Sequence, residues 1–439
     1  MVMMVVCLIA DLMIKRLEAN DVEETESCCY YSNFRLILFK EEKMLYLNEK
    51  VYIVDGKTNG AIYDLNKGNL YHISKEAKAF LHKVCSEEFI PTFNEQQYID
   101  YLIAEEILTE TETKEHSIEE LIEPFEIGFV WIEVTNICNL RCIHCYDEAG
   151  CGKGDVMSYS DFCHIIDELT INHISKVQLI GGEPFVLGED LITYLEYMKG
   201  KFEYIEIFTN GTLIKEKWIT YLKENNIHIA LSVYSYQESE HNKVTQSNSW
   251  KKTNDTIQKL KENGIPYKVK NVIIKGIDIG EKNTDLYSLS YKKDIIRLTG
   301  RASLKLVSKD MLKRKLITEK SFSDKLSLSL VKRCVSGHNC FNRRLYFAVD
   351  SKVYPCVMER RLCHGNIKGK HLTDILSDEI RKLDKNKIEV CQDCEFRYCC
   401  FDCRPDSNGK GIYDKTWYCT YNPYTGVWED IDRFSDNLE

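Results

Sequence analysis

Between residues 129 and 274 the apolar positions gather into five short runs, at 129–134, 176–180, 204–208, 227–233 and 267–274. Each has strand length, and largely unbroken apolar character suits burial on both faces of a parallel sheet. The intervening stretches 160–169, 190–199, 215–224 and 254–263 read as helices, and the connections are long enough for right-handed crossovers. Repeated strand-then-helix units predict an α/β fold, a partial (β/α)6 TIM-like barrel over residues 125–305.

A different pattern precedes it. Residues 50–54 and 61–64 alternate apolar and polar side chains, with turns at Asp55-Gly56 and Lys67-Gly68. A third strand at 70–73 leads into Ser74, which can cap a helix carrying Ala77, Phe80 and Leu81 inward. Asn94 with Gln97 reads as a capping box opening a second helix through Leu108. Three strands and two helices predict a winged-helix-like module over residues 41–112, and the acidic stretch 109–119 reads as a linker. Beyond Gly300 the pattern turns irregular and basic, and from Cys334 cysteine dominates a third domain, residues 325–439.

A length of 439 residues suits two or three domains, and 44% apolar with 29% charged residues is ordinary for a globular protein. The net charge of -10 argues against a dedicated nucleic-acid binder. Nineteen cysteines, an odd number in a long chain without a convincing export signal, speak for a reducing compartment and metal or cluster binding rather than a disulfide framework. Residues 1–13 are mostly apolar and include Cys7, but they lack a basic start and Asp11 interrupts them. They read as a short amphipathic helix, or as an upstream start with Met13 as the alternative, ahead of a cleaved signal or lipid anchor. The expected location is the cytoplasm, with no membrane.

The chemistry begins at Cys138, Cys142 and Cys145, spaced C-x3-C-x2-C directly after the first barrel strand. Loops after parallel strands line the functional face, which puts the three thiols at the active end. Three thiolates can hold three corners of a four-iron cluster, leaving the fourth iron for a small molecule. Structural zinc asks for four ligands, and His144 lies between the cysteines rather than at a fourth-ligand spacing. Gly181-Gly182-Glu183-Pro184 follows the second strand. Its glycines admit close backbone approach and its carboxylate can accept a hydrogen bond from an ammonium. Thr209-Asn210-Gly211 closes the third strand, and Ser232 lies in Leu231-Ser232-Val233-Tyr234.

In this order the motifs resemble the radical S-adenosylmethionine superfamily, over residues 127–300 in the core and on toward the C-terminus. The resemblance implies that S-adenosylmethionine chelates the open iron by its amino and carboxylate groups. Cleavage of the sulfonium by an electron from the cluster then gives a 5′-deoxyadenosyl radical that removes hydrogen from an unactivated carbon. It places His144 near the adenine and Gly181, Gly182, Glu183 and Pro184 at the methionine amino group. Ser232 falls at the ribose or carboxylate, and Asn210 joins the cofactor-binding set.

The C-terminal cysteines run Cys334-x5-Cys340-x15-Cys356, then Cys391-x2-Cys394-x5-Cys400-x2-Cys403, then Cys419. This array resembles the SPASM extension of peptide- and protein-modifying members, which binds two auxiliary [4Fe-4S] clusters. The resemblance assigns Cys334, Cys340, Cys356 and Cys403 to one and Cys391, Cys394, Cys400 and Cys419 to the other, so that the chain carries three clusters in all. The usual pattern has three residues where Cys400 and Cys403 are separated by two; Cys399 offers the alternative spacing, and Cys400 is favoured. A zinc ribbon on the C-x2-C pair is the competing reading. Leu298-Thr299-Gly300-Arg301 resembles a connector with a Gly-Arg pair common in these enzymes. The other cysteines, Cys7, Cys28, Cys29, Cys85, Cys151, Cys163 and Cys363, read as small core residues.

The N-terminal module resembles the peptide-recognition element of enzymes that mature ribosomally made peptides, where a leader adds a strand to the sheet edge. A winged-helix DNA reader competes, but its candidate helix carries only Lys75, Lys78 and Lys83 and no arginine. The expected function is capture of a precursor peptide by its leader, followed by hydrogen abstraction to form a thioether. A carbon–carbon cross-link is the close alternative, and formylglycine-type sulfatase maturation a second enzyme reading. An electron carrier or zinc scaffold is the non-catalytic one. Either cross-link is a net two-electron oxidation, so a nearby cluster could take the second electron and a flavodoxin- or ferredoxin-type reductant is the expected partner.

Overall fold

The computed structural model describes residues 44–150, 154–291, 294–323, 325–338, 340–406 and 411–436. The readings of residues 1–13, of Cys7, Cys28, Cys29 and Cys151, and of positions 41–43 lie outside the described residues.

The chain opens with β1 (Tyr46–Leu47), followed by β2 (Val51–Asp55), β3 (Gly60–Asp64) and β4 (Asn69–Ile73), an antiparallel sheet in the order β2-β3-β4. Helices α1 (Lys75–Ser86) and α2 (Phe93–Ala104) follow, and β5 (Leu108–Thr109) returns to pair with β1. Ser74 caps α1 as expected, accepting from the Ala77 N–H. The second helix is capped differently from the expectation at Asn94. Thr92 and Glu95 form the reciprocal box, because the helix begins two residues earlier than expected, at Phe93.

Both faces of this small sheet are buried, where alternation suggested one. Val51, Ile62, Tyr71 and Ile73 pack under α1 and α2. Tyr52, Val54, Ala61, Tyr63 and Leu70 pack instead against Phe396, Tyr398 and Tyr421 of the cysteine-rich region. Aromatic side chains at the intervening positions make the second face apolar enough to bury. The stretch expected to be a linker joins this interface: Ile118 is buried in it, and Tyr398 Oη donates to Glu119 at 2.8 Å.

The central sheet is mixed and eight-stranded, in the order β10-β9-β8-β7-β6-β11-β12-β13. Its parallel part comprises β6 (Phe129–Thr135), β7 (Lys176–Gly181), β8 (Tyr204–Thr209), β9 (His228–Ser232) and β10 (Tyr267–Lys270). The crossovers are α3 (Tyr159–Ile171), α4 (Glu189–Met198), α5 (Glu216–Glu224), then α6 (Glu238–Thr245) with α7 (Trp250–Glu262). The last strand stops four residues short of the expected end; Ile273 then makes an isolated parallel bridge to Ile295. The cysteine-rich region contributes β11 (Arg344–Phe347), parallel to β6, with β12 (Lys352–Tyr354) and β13 (Gly365–Asn366) antiparallel beyond it.

One face of this sheet packs on the helices through Val130, Ile132, Val177, Leu179, Ile207, Ile229 and Leu231. The other was expected to be apolar and is mixed, with Ile180 and Phe208 beside polar groups. Glu133, Gln178 and Glu206 are buried there, and each is bonded: Tyr346 Oη donates to Glu133 at 2.6 Å, and Gln178 Nε2 and Tyr204 Oη donate to Glu206. A polar inner wall with satisfied partners is affordable in the interior and leaves room for a polar guest.

Candidate functional site

The loop after β6 carries Cys138, Cys142 and Cys145 over a cavity of about 260 Å3 whose wall also includes Gly181, Asn210 and Ser232. The loop is held from three sides. Arg141 and Ile143 donate their N–H groups to Thr245 and Val244 at the end of α6. Arg301 donates to the Cys142 carbonyl and the Ala149 carbonyl, both at 2.8 Å, while its own N–H reaches the Cys145 carbonyl at 3.0 Å. Gly182 and Glu183 donate N–H groups to Thr135 and Ile137 at 2.8 and 2.9 Å, tying the turn after β7 to the start of the loop.

That last contact explains the paired glycines differently from the sequence reading. A Cβ on Gly181, whose φ is +151°, would stand 2.0 Å from the Thr135 carbonyl oxygen; one on Gly182 would stand 2.3 Å from that of Ile137. The close approach is by the cysteine loop itself. Glu183 and Pro184, expected at the cofactor, are buried behind the turn and do not line the cavity. The Glu183 carboxylate accepts from Thr209 Oγ1 at 2.7 Å, Phe185 N at 3.1 Å and Asn210 N at 2.7 Å. Burial outweighs these bonds and raises its pKa to about 7. Glu183 therefore fixes the turn to the end of β8, where Asn210 is further locked by donating to Asn139 Oδ1 at 2.9 Å.

The donor set suits an iron–sulfur cluster. Burial, then the neighbouring Cys138 and Cys145, push the Cys142 thiol up to about 12, so three such thiols resist ionising together unless a metal takes up their charge. Among the described residues no three His, Cys, Asp or Glu groups are arranged to hold a single metal ion. A cube-type cluster makes a different demand, one iron for each thiolate. The cavity also suits a polar nucleotide. His144, buried edge-on against Tyr234 with ring centroids 4.8 Å apart, is held neutral by a pKa lowered to about 4, and its Nδ1 has no hydrogen-bond partner. Thr299 Oγ1, on the same wall, is likewise buried without one. Unpaired buried polar atoms facing a cavity are costly unless a ligand meets them. Sequence reasoning passed over Tyr234 and Thr299 and gave Arg301 little weight; only Arg301 had a signal, in its Gly-Arg pair.

None of the described cysteines is in a disulfide. In the C-terminal region the Cys391, Cys394, Cys400 and Cys419 thiols lie close enough for their charges to interact, and each of the first three is raised by burial. Cys399 turns away: it receives a hydrogen bond from Tyr63 Oη at 3.2 Å and lies in the interface with the N-terminal sheet. Cys356 interacts with Cys340, and Cys403 with Cys356. Cys334 lines a small cavity together with Cys400, Lys385 and Asp402. Cys85 and Cys163 are half-buried as expected of packing residues, while Cys363 is exposed.

Comparison with known proteins gives the same picture at the level of domains. Residues 132–285 match the model of the radical SAM superfamily, and residues 339–395 match an iron-sulfur cluster-binding domain, SPASM. The GTP 3',8-cyclase of Clostridium botulinum (strain Okra / Type B1) is 26% identical over 175 residues, 39% of this chain and 54% of the cyclase. The chain thus spans about half the length of such curated relatives. The antilisterial bacteriocin subtilosin biosynthesis protein AlbA of Bacillus subtilis (strain 168) is 31% identical over 136 residues, 30% of each chain. Among solved structures, Streptococcus suis SuiB bound to precursor peptide SuiA superimposes with a TM-score of 0.46 at 14% identity, covering 85% of this chain and 99% of that one. Native anSMEcpe with bound AdoMet gives 0.48 at 16% identity, covering 71% and 96%. The chain thus contains a radical SAM domain and a SPASM domain, and these domains imply an enzyme that uses S-adenosylmethionine and [4Fe-4S] clusters. Among the described residues no helix is long and apolar enough to cross a membrane.

Proposed function

From a radical SAM core joined to a SPASM domain, we propose that this chain matures a ribosomally made precursor peptide by forming a sulfur-to-carbon thioether. The observation that carries the reading is the placement of the three-cysteine loop over a cavity with unpartnered polar atoms, next to a second cysteine array and a small sheet packed upon it. The similarity to a bacteriocin biosynthesis protein supports a peptide substrate.

On this reading residues 41–112 form a winged-helix-like recognition element, residues 125–305 a partial barrel and residues 325–439 the SPASM domain. Cys138, Cys142 and Cys145 hold the cluster to which S-adenosylmethionine binds, and the bound nucleotide supplies a 5′-deoxyadenosyl radical. The chain's own residues do the rest. His144 Nδ1 and Thr299 Oγ1 offer hydrogen bonds to the nucleotide, while Asn210 and Ser232 shape the wall beside it. Arg301 holds the loop that fixes the radical's origin. Cys391, Cys394, Cys400 and Cys419 hold an auxiliary cluster. Forming the C–S bond would remove a hydrogen atom from carbon, the thiol proton and one electron; S-adenosylmethionine would supply the acceptor for the hydrogen atom, and an auxiliary cluster held by these cysteines the acceptor for the electron. A flavodoxin- or ferredoxin-type protein in the cytoplasm would supply the first electron.

The test is anaerobic incubation of reconstituted enzyme with S-adenosylmethionine, dithionite and the short peptides encoded beside its gene. A thioether requires 5′-deoxyadenosine, a product lighter by two hydrogens, and one cysteine lost to alkylation. A two-hydrogen loss with every cysteine still alkylated would replace the thioether with a carbon–carbon link. Formylglycine in place of a serine or cysteine would replace it with sulfatase-type chemistry.

A further inference from the structure

On the Lys385 side of the Cys391–Cys419 group two buried cations meet one carboxylate, while Glu395, buried beside Cys394, is turned to His72 and Tyr421. Lys385, Arg404 and Asp402 are 6%, 3% and 2% exposed. Both cations share the one carboxylate: Lys385 Nζ lies 2.7 Å from Asp402 Oδ2, and Arg404 Nη2 donates to the same oxygen at 2.5 Å. His338 Nε2 stands 3.5 Å from the other oxygen and so adds no negative charge. Asp384, half-buried at the rim, is turned to Asn386, its Oδ1 accepting the backbone N–H and Oδ2 the side-chain amide. At this end of the group two buried cations thus share a single carboxylate, an imbalance that an anionic neighbour would relieve.

Lys385 is the member with bonding capacity to spare. Its Nζ makes no well-aligned hydrogen bond although an ammonium has three N–H donors. It sits with Cys400 and Cys334 on the wall of one small cavity, and its charge acts on the Cys400 and Cys391 thiols. A four-iron cluster with four thiolates is anionic, and becomes more so on reduction.

We propose that Lys385 is a positioning residue for the auxiliary cluster of Cys391, Cys394, Cys400 and Cys419, donating to its ligand sulfurs and stabilising its reduced form. The inference rests on the reading that these four thiols hold a cluster. It assigns to this cluster the role of accepting the substrate electron, because a buried cation raises its potential.

The experiment is an EPR-monitored redox titration of the full-length, anaerobically reconstituted chain, with iron counted per chain. Lys385→Met is expected to move one auxiliary midpoint to more negative potential while leaving that of the S-adenosylmethionine cluster in place, and Lys385→Arg to retain the wild-type value. Asp402→Asn, which removes the competing carboxylate, is expected to move the same midpoint in the positive direction. Opposite signs from the two variants exclude a general loosening of the fold, and the Asp402→Asn arm remains readable if Lys385→Met loses its cluster. An unchanged midpoint in Lys385→Met at full iron content, or shifts of the same sign in Lys385→Met and Asp402→Asn, would overturn the inference. Iron for only one cluster in the wild type would overturn the cluster reading and the inference with it.

Discussion

Replacing Glu183 by Gln isolates what a buried carboxylate does at the end of β7. Burial raises the Glu183 pKa from 4.5 to about 7 in the folded chain. In this window the folded state binds more protons than the unfolded one, so the stability linked to this group is full below pH 4.5 and is lost as pH rises toward 7. The whole shift is linked to about 3 kcal/mol, of which about 2 kcal/mol falls between pH 5 and pH 7.5. Glutamine cannot ionise, so this component vanishes. It also cannot accept at every position: Thr209 Oγ1 and Phe185 N share one oxygen and Asn210 N uses the other. One donor then faces an amide NH2, a pH-independent cost of about 1–3 kcal/mol. Urea unfolding of the cluster-free protein, followed by tryptophan fluorescence, reads both terms. Trp218, one of five tryptophans, packs edge-on against Phe185 at 4.8 Å, so part of the signal originates beside the turn. Between pH 5 and pH 7.5 the wild type should lose about 2 kcal/mol more than the variant. Parallel pH profiles for the two proteins would refute the argument that burial dominates the three hydrogen bonds.

Three further outcomes are expected. Cys400→Ser should lose the iron of one cluster, whereas Cys399→Ser should keep full iron and lose only about 1 kcal/mol from its contact with Tyr63; iron analysis and calorimetry decide, and equal iron loss in both would contradict the orientation of the pair. Arg301→Lys should weaken the cysteine loop by about 1.5–3 kcal/mol, because one ammonium cannot reach both the Cys142 and Ala149 carbonyls; faster bleaching of cluster absorbance in air is the measure, and a wild-type rate would count against it. Gly182→Ala should cost about 1–3 kcal/mol through the clash with the Ile137 carbonyl, visible as a lower melting temperature of the cluster-free protein; an unchanged value would mean that the loop yields freely.

The elements carrying strong local signals were legible in the linear chain. All five barrel strands begin within a residue of their expected positions, and Ser74 caps α1 as read. Helix α6 escaped notice because Val244 is its only aliphatic residue, which leaves no periodicity to see; yet its end anchors the cysteine loop. The capping box was misplaced by two residues because Asn94 and Gln97 satisfy the same pattern as Thr92 and Glu95, and only backbone geometry separates the two.

What the order of residues determined alone was the chemistry: three thiols after a strand, a glycine pair after the next, and a second cysteine array, because ligand type and spacing are local properties of the chain. Tertiary structure decided which groups meet. It turned Cys399 toward Tyr63 and Cys400 toward Cys391. It placed β11 beside β6 and drew Glu183 behind its turn rather than into the cavity. These outcomes depend on contacts between residues tens to hundreds of positions apart, where burial and the competition for hydrogen-bond partners, rather than sequence spacing, select the geometry.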